Sequence, residues 1–263
     1  MAWYRVFASG SSGNCSLVSD GKTNILIDAG ISARRIKSCL SELGLTPDEL
    51  TAILITHEHS DHVCGLQTLE KYYDIPVFAS VGTIGALRRK MPDTMEGAYY
   101  FTPGQSFYVE SVLVSTFRTP HDAAESSGFK LELENGRSMA VATDLGYMPE
   151  SVLNSIAGAE TVLLESNHDI QMLRYGPYPP QLKERILGER GHLSNDISGE
   201  TAARLVSCGA ERVILAHLSR ENNTPETAMK TVEEKLRICG MTPGRDVYLE
   251  VASPEDMSGE YIL

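Results

Sequence analysis

The densest chemistry in the chain is Thr56-His57-Glu58-His59-Ser60-Asp61-His62, which puts three histidines and two carboxylates into six consecutive positions. Neutral imidazole and carboxylate oxygen suit Zn²⁺, Mn²⁺ or Fe²⁺, and a cluster without a thiolate is a poor purely structural zinc site. On an extended segment His57, His59 and Asp61 would share one face while His62 points elsewhere. Such a layout serves two adjacent ions better than one. A solvated loop is the plain alternative, but so dense a cluster closing an apolar strand argues for a metal.

That strand is Ala52–Ile55, short and β-branched, and a helix is expected to begin within Cys64–Glu70. Chemistry would then sit on a loop after a buried strand, where α/β scaffolds expose it. The same plan recurs down the chain. Asn24–Ile27 ends at Asp28, either a turn cap or a carboxylate that orients a ligating histidine. Val112–Arg118 is followed by His121 and by Asp122, which could orient it, and Ser138–Ala142 by Asp144, which could equally cap a helix from Met148. Thr161–Leu164 runs into Glu165-Ser166-Asn167-His168, where His168 lines a cleft or makes a structural hydrogen bond. Arg212–Ala216 ends at His217. His192 stands just before a helix expected over Asp196–Cys208. Backbone N–H groups there would cradle a phosphate, or His192 is an exposed residue of a capping loop.

Around these runs, Trp3–Ala8 reads as an edge strand, and Cys15–Ser19 with Asn24–Ile27 as a hairpin about Asp20-Gly21. Helices are expected over Ser32–Leu43, Val81–Lys90, Pro180–Leu187 and from Pro225, capped by Thr224, to Ile238. Arg88-Arg89-Lys90 is a cationic helix end or a phosphate-contacting patch. Val77–Ala79, Phe107–Val109, Gly128–Glu134 and Val247–Val251 complete the strands, and Ser253–Leu263 reads as a polar, mobile tail.

With 263 residues and 42% hydrophobic content, the chain can build one large domain or two small ones. A net charge of −12 argues against a broad basic surface for nucleic acid, although bound cations would reverse the sign locally in a cleft. Five scattered cysteines without a C-x-x-C pair suggest a reducing, cytoplasmic setting. No signal peptide and no apolar stretch of membrane-spanning length is evident.

Thr56 to His62 resembles the signature of the metallo-β-lactamase superfamily of binuclear metal hydrolases, and Ile25–Gly30 its first motif. The Ser9-Gly10-Ser11-Ser12-Gly13-Asn14 opening and Glu165-Ser166-Asn167-His168-Asp169 are similar to the YycJ/WalJ/VicX branch, relatives of the RNase Z type phosphodiesterases. The resemblance spans most of the chain. It implies a single domain, residues 1–263, with a four-layer αβ/βα sandwich of two mixed sheets flanked by helices. It also implies two divalent ions, Zn²⁺ or Mn²⁺ with Fe²⁺ an option. His57, His59 and His121 would hold the first, Asp61, His62 and His217 the second, and Asp144 would bridge them. His192 would donate a proton or contact phosphate, and Asp61 would also hold the nucleophile. Asn14 would approach the scissile group and Arg220 would sit near the pocket. The activity so implied is phosphodiester hydrolysis by a 5′-to-3′ exonuclease, on DNA rather than RNA. A thioester or lactone hydrolase, or a regulatory module of a two-component signalling system, are the alternatives. No membrane partner is expected, and the oligomeric state is left open.

Overall fold

Successive residues of the central strands enter different cores, which is why these strands read as unbroken apolar runs rather than as alternating ones. Ile25 and Ile27 face an inner core, while Leu26 between them faces an outer one. Leu163 and Ile214 face the inner core, while Val162 and Val213 face a second outer one.

A computed structural model of the protein describes residues 1–92 and 94–263. The first half of the chain supplies β1 (Trp3–Ala8), β2 (Cys15–Ser19), β3 (Asn24–Ile27), α1 (Ala33–Glu42), β4 (Ala52–Leu54), α2 (Ser60–Val63), α3 (Leu66–Tyr72), β5 (Val77–Ser80), α4 (Val81–Lys90) and β6 (Tyr99–Phe101). The second supplies β7 (Ser106–Val109), β8 (Val112–Arg118), β9 (Ser127–Glu132), β10 (Ser138–Ala142), α5 (Glu150–Ile156), β11 (Thr161–Glu165), α6 (Ile170–Tyr175), α7 (Pro180–Leu187), α8 (Asn195–Ser207), β12 (Arg212–Ala216), α9 (Pro225–Ile238) and β13 (Tyr248–Val251). A last strand, β14 (Tyr261–Ile262), returns to the first sheet.

Two seven-stranded sheets result, in the orders β14-β1-β2-β3-β4-β5-β6 and β13-β12-β11-β10-β9-β8-β7. Each is mixed, antiparallel in one half and parallel in the other. Tyr4, Ile25, Leu54, Phe129 and Val141 join the sheets in the inner core. Ile36 of α1, Leu69 of α3 and Leu87 of α4 cover the first sheet outside, and Val152 of α5, Leu205 of α8 and Val232 of α9 cover the second. The four-layer sandwich expected from the sequence is the observed one. No helix among the described residues is long and apolar enough to cross a membrane.

Two local expectations are corrected. Trp3–Ala8 is not an edge strand, because Trp3 and Tyr4 pair outward with Ile262 and Tyr261. The tail is not a loose polar segment: Tyr261 and Leu263 are buried in the inner core, and Val6 exchanges backbone and side-chain hydrogen bonds with Ser258. Burial of Tyr261 and Leu263, on either side of the exposed Ile262, outweighs the polar residues before them. Helix α6, capped by the Asp169 carboxylate on the amides of Gln171 and Met172, was not anticipated. The cap fits the general preference for Asp at this position.

Candidate metal centre

The loop after β4 is held by backbone contacts before any side chain acts. Ala29 N–H donates to the His62 carbonyl at 2.8 Å, and Asn14 N–H to the Asp61 carbonyl at 2.7 Å. Gly30 makes this approach feasible, since a Cβ there would lie 1.7 Å from the Asp61 carbonyl oxygen. On the other flank Lys90 donates to the Glu58 carbonyl at 3.1 Å, and the Glu58 carboxylate accepts from Ala124 N–H at 2.9 Å. Arg88 donates to the Met95 carbonyl. Two of the three cations ending α4 therefore bind nearby carbonyls, in keeping with the helix-end reading.

The loop is not extended throughout. It closes into the short helix α2 at Ser60–Val63, so Asp61 leaves the company of His57 and His59 and joins His62 instead. The separation of these residues into two donor groups arises from this turn and not from strand alternation.

Three of the site residues leave their strands in the left-handed region: Asp28 after β3, Asp144 after β10 and His217 after β12, with φ of 59°, 61° and 57°. None is glycine, and each such conformation costs about 1–3 kcal/mol. That cost falls on three carboxylate and imidazole carriers around one cluster, as it does where backbone strain serves a site.

The structure brings His57, His59 and His121 together as one trio of donor atoms, and Asp61, His62 and His217 as another. Asp144 lies between them, with Oδ1 3.6 Å from His121 Nε2 and Oδ2 3.4 Å from His62 Nε2. His57 Nε2 and Asp144 Oδ2 are buried and make no hydrogen bond. A buried carboxylate oxygen without a partner is costly, and a cation between the trios would satisfy both atoms. The donor set is all nitrogen and oxygen, which fits Zn²⁺, Mn²⁺ or Fe²⁺.

The electrostatics point the same way. Burial opposes the charged form of His62, but Asp144 and Asp28 outweigh it and raise its pKa to about 9. Burial would lift the Asp61 carboxyl, yet the hydrogen bond from His217 and the charge of His62 hold it at about 2. Burial, helped by His62, keeps His57 neutral and so fit to ligate. The carboxylates thus exert a strong local pull on positive charge, which a metal ion can answer as well as a proton.

Behind the donors lies a layer that fixes their tautomers. His62 Nδ1–H donates to Asp28 at 2.7 Å. His57 Nδ1–H reaches the Thr56 hydroxyl at 3.0 Å, which in turn donates to Asp28 at 2.9 Å. Both rings therefore turn Nε2 toward the cluster. Of the two readings of Asp28, the structure favours the orienting carboxylate. Asp28→Asn is expected to weaken metal binding about 10–100-fold, read by competition with a chromophoric chelator. Unchanged affinity would mean that Thr56 and packing alone hold these rings.

Glu165, to which the sequence assigns no role, organises the far side of the cluster. Its Oε1 meets both His192 Nδ1 at 2.7 Å and His217 Nδ1 at 2.9 Å. Its Oε2 accepts from Leu145 N–H and Leu193 N–H. Burial raises its carboxyl, but the charge of His192 and the hydrogen bonds from His192 and His217 outweigh that and hold it at about 2. A carboxylate ending an apolar strand, as Asp28 and Asp144 do, was the available signal.

Other expectations resolve differently. Asp122 does not orient His121: Arg185 takes both its carboxylate oxygens, and His121 Nδ1–H meets the Gly191 carbonyl at 3.2 Å. The N-terminus of α8 is not an open phosphate cradle, because the amides of Leu193, Asn195 and Ile197 already donate to Glu165, the His168 carbonyl and Ser194. His168 makes no structural side-chain hydrogen bond. Its ring is buried with both nitrogens unpartnered, and burial lowers its pKa to about 4. The Asn14 amide lies 3.2 Å from His62 Nε2, inside the cluster.

A family model described as the beta-lactamase superfamily domain matches residues 23–218, a span that contains every one of these donors. The chain belongs to the metallo-β-lactamase superfamily. Within it, the chain is 34% identical over 257 residues to exodeoxyribonuclease WalJ of Streptococcus pneumoniae, covering 96% of this chain and 94% of that one. It is 34% identical over 253 residues to exodeoxyribonuclease YycJ of Bacillus anthracis, covering 96% of each. Among solved structures, the metallo-beta-lactamase fold protein YhfI of Bacillus subtilis superposes with a TM-score of 0.71 at 15% identity, covering 99% of this chain and 100% of that one. At that identity the likeness concerns the superfamily's fold.

Proposed function

We propose that this protein is a metal-dependent phosphodiesterase that degrades DNA from a strand end. The observation that carries the reading is Asp144 set between two complete trios of metal-ligating atoms, with His192 held beside them by Glu165. The WalJ and YycJ exodeoxyribonucleases, similar over nearly the whole chain, supply the substrate class.

His57, His59 and His121 would hold one divalent ion, Asp61, His62 and His217 a second, and Asp144 would touch both. Such ions supply a nucleophilic water at neutral pH and positive charge for the phosphoryl oxygens. The rest is the work of this chain's residues. Asp28 and Glu165 fix the tautomers of His62 and His217. The Asp61 carboxylate, ionised at any working pH, accepts a hydrogen bond from the attacking water and orients it. His192 keeps Nδ1–H on Glu165, so Nε2 is the ring nitrogen that delivers a proton to the leaving oxygen. The acidic body leaves DNA to be gripped by few contacts near the cations. Zn²⁺ or Mn²⁺ as the ion, one domain over residues 1–263, a cytoplasmic location and 5′-to-3′ polarity complete the proposal.

The test is cleavage of 5′-labelled single- and double-stranded DNA and RNA with Mn²⁺ or Zn²⁺, run beside Asp61→Ala. Cleavage of DNA by the parent and not by the variant supports the reading, and the product ladder gives the polarity. Two bound metals with no cleavage of any nucleic acid would sink it in favour of a small-ester hydrolase.

A further inference from the structure

A cleft of about 370 Å³ opens beside the second trio, and none of its walls takes part in the chemistry described above. Its size falls within the roughly 300–1,000 Å³ of small-molecule sites. Two chain segments join its walls to the metal centre. Leu218, Ser219 and Arg220, which line it, are the three residues after His217. Ser11 and Ser12, which line it opposite, belong to the turn between Ser9 and Asn14. Ser9 accepts the His217 N–H at 2.8 Å, and Asn14 lies against His62. The segments that wall the cleft are thus the ones that pass the cluster at His217, Ser9 and Asn14.

The wall chemistry selects a flat, uncharged group. Leu218, Ala252 and Pro254 make apolar sides, and Tyr178 presents an aromatic ring. A phosphate finds little net positive charge here: the wall has one cation, Arg220, which lies 3.1 Å from Glu255, and the Glu221 carboxylate shares the lining. We infer that this cleft receives the nucleobase of the nucleotide adjoining the scissile phosphate, stacked on Tyr178. The inference rests on the nuclease reading and names the contact by which that site would hold its substrate. Stacking is tolerant of base identity, so the contact would position any sequence.

The experiment compares the parent, Tyr178→Ala and Tyr178→Phe on a DNA strand with intact bases and on the same strand abasic at the nucleotide next to the cleaved bond. Tyr178→Ala is expected to lower kcat/KM about tenfold on the intact strand and to leave the abasic strand unaffected. Tyr178→Phe, which keeps the ring, stays near the parent on both. Ser12→Trp, a change at an exposed position that fills the cleft, is expected to raise KM on intact DNA while the metal content is unchanged. Equal losses on intact and abasic strands, or none on either, would overturn the inference while leaving the nuclease reading in place. A parent that cleaves no DNA at all would instead remove the nuclease reading, and the inference with it.

Discussion

Asp144→Asn is expected to lower DNA hydrolysis by about a thousandfold or more and to reduce the metal content below that of the parent. The substitution keeps the shape of the side chain and removes its charge. Asp144 is the carboxylate whose two oxygens face both trios, at 3.6 Å from His121 and 3.4 Å from His62. Burial pushes its carboxyl up, but His217, His62 and His57 outweigh that and hold it well below the usual range. An amide in its place would offer one oxygen and no charge to a cation between the trios. Metal ions contribute several kcal/mol to such reactions, and each 1.36 kcal/mol is a factor of ten. Steady-state rates together with elemental analysis of the purified variant check the claim. Full metal content with a near-parental rate would show that Asp144 does not join the two sites.

His192→Ala should separate proton transfer from metal binding. The side chain stands outside both trios, so the metal content should match that of the parent. Hydrolysis of DNA, whose leaving alkoxide needs a proton, is expected to fall by about 10²–10⁴-fold. With a nitrophenyl phosphodiester, whose leaving group departs without protonation, most of that loss should vanish. Glu165→Gln should reproduce the His192 defect and add a weaker grip on metal, because the same oxygen reaches both His192 and His217. A loss of equal size on both substrates would assign His192 to binding and not to proton donation.

These expectations depend on unequal contributions from sequence and tertiary structure. The sandwich was legible because both faces of its central strands are buried, which writes itself as short apolar runs such as Ile53-Leu54 and Val213-Ile214-Leu215. The donors were legible because a polar residue that ends such a run sits where buried backbone gives way to loop. Asp28, Asp144 and His217 all follow this rule, and all three occupy the left-handed turn that ends their strands. Family resemblance then sorted the histidines into two groups, and the folded chain assembles the same groups.

What the linear pattern could not carry is any relation that depends on two distant segments meeting. Asp61 and His62 face the second group only because Ser60–Val63 coils into a helical turn pinned against Asn14 and Ala29. Asp122 resembles an orienting carboxylate until α7 brings Arg185 onto it. The last strand escapes notice because its two residues gain their stability from pairing with Trp3 and Tyr4 at the other end of the chain. Glu165 gains its role only when His192 and His217 arrive from separate elements to share one of its oxygens. Residue type and spacing determined which chemistry this protein could hold; the packing of separate segments in both sheets decided which carboxylates orient histidines and which remain free to face a metal, because a carboxylate's partner is set by proximity in space.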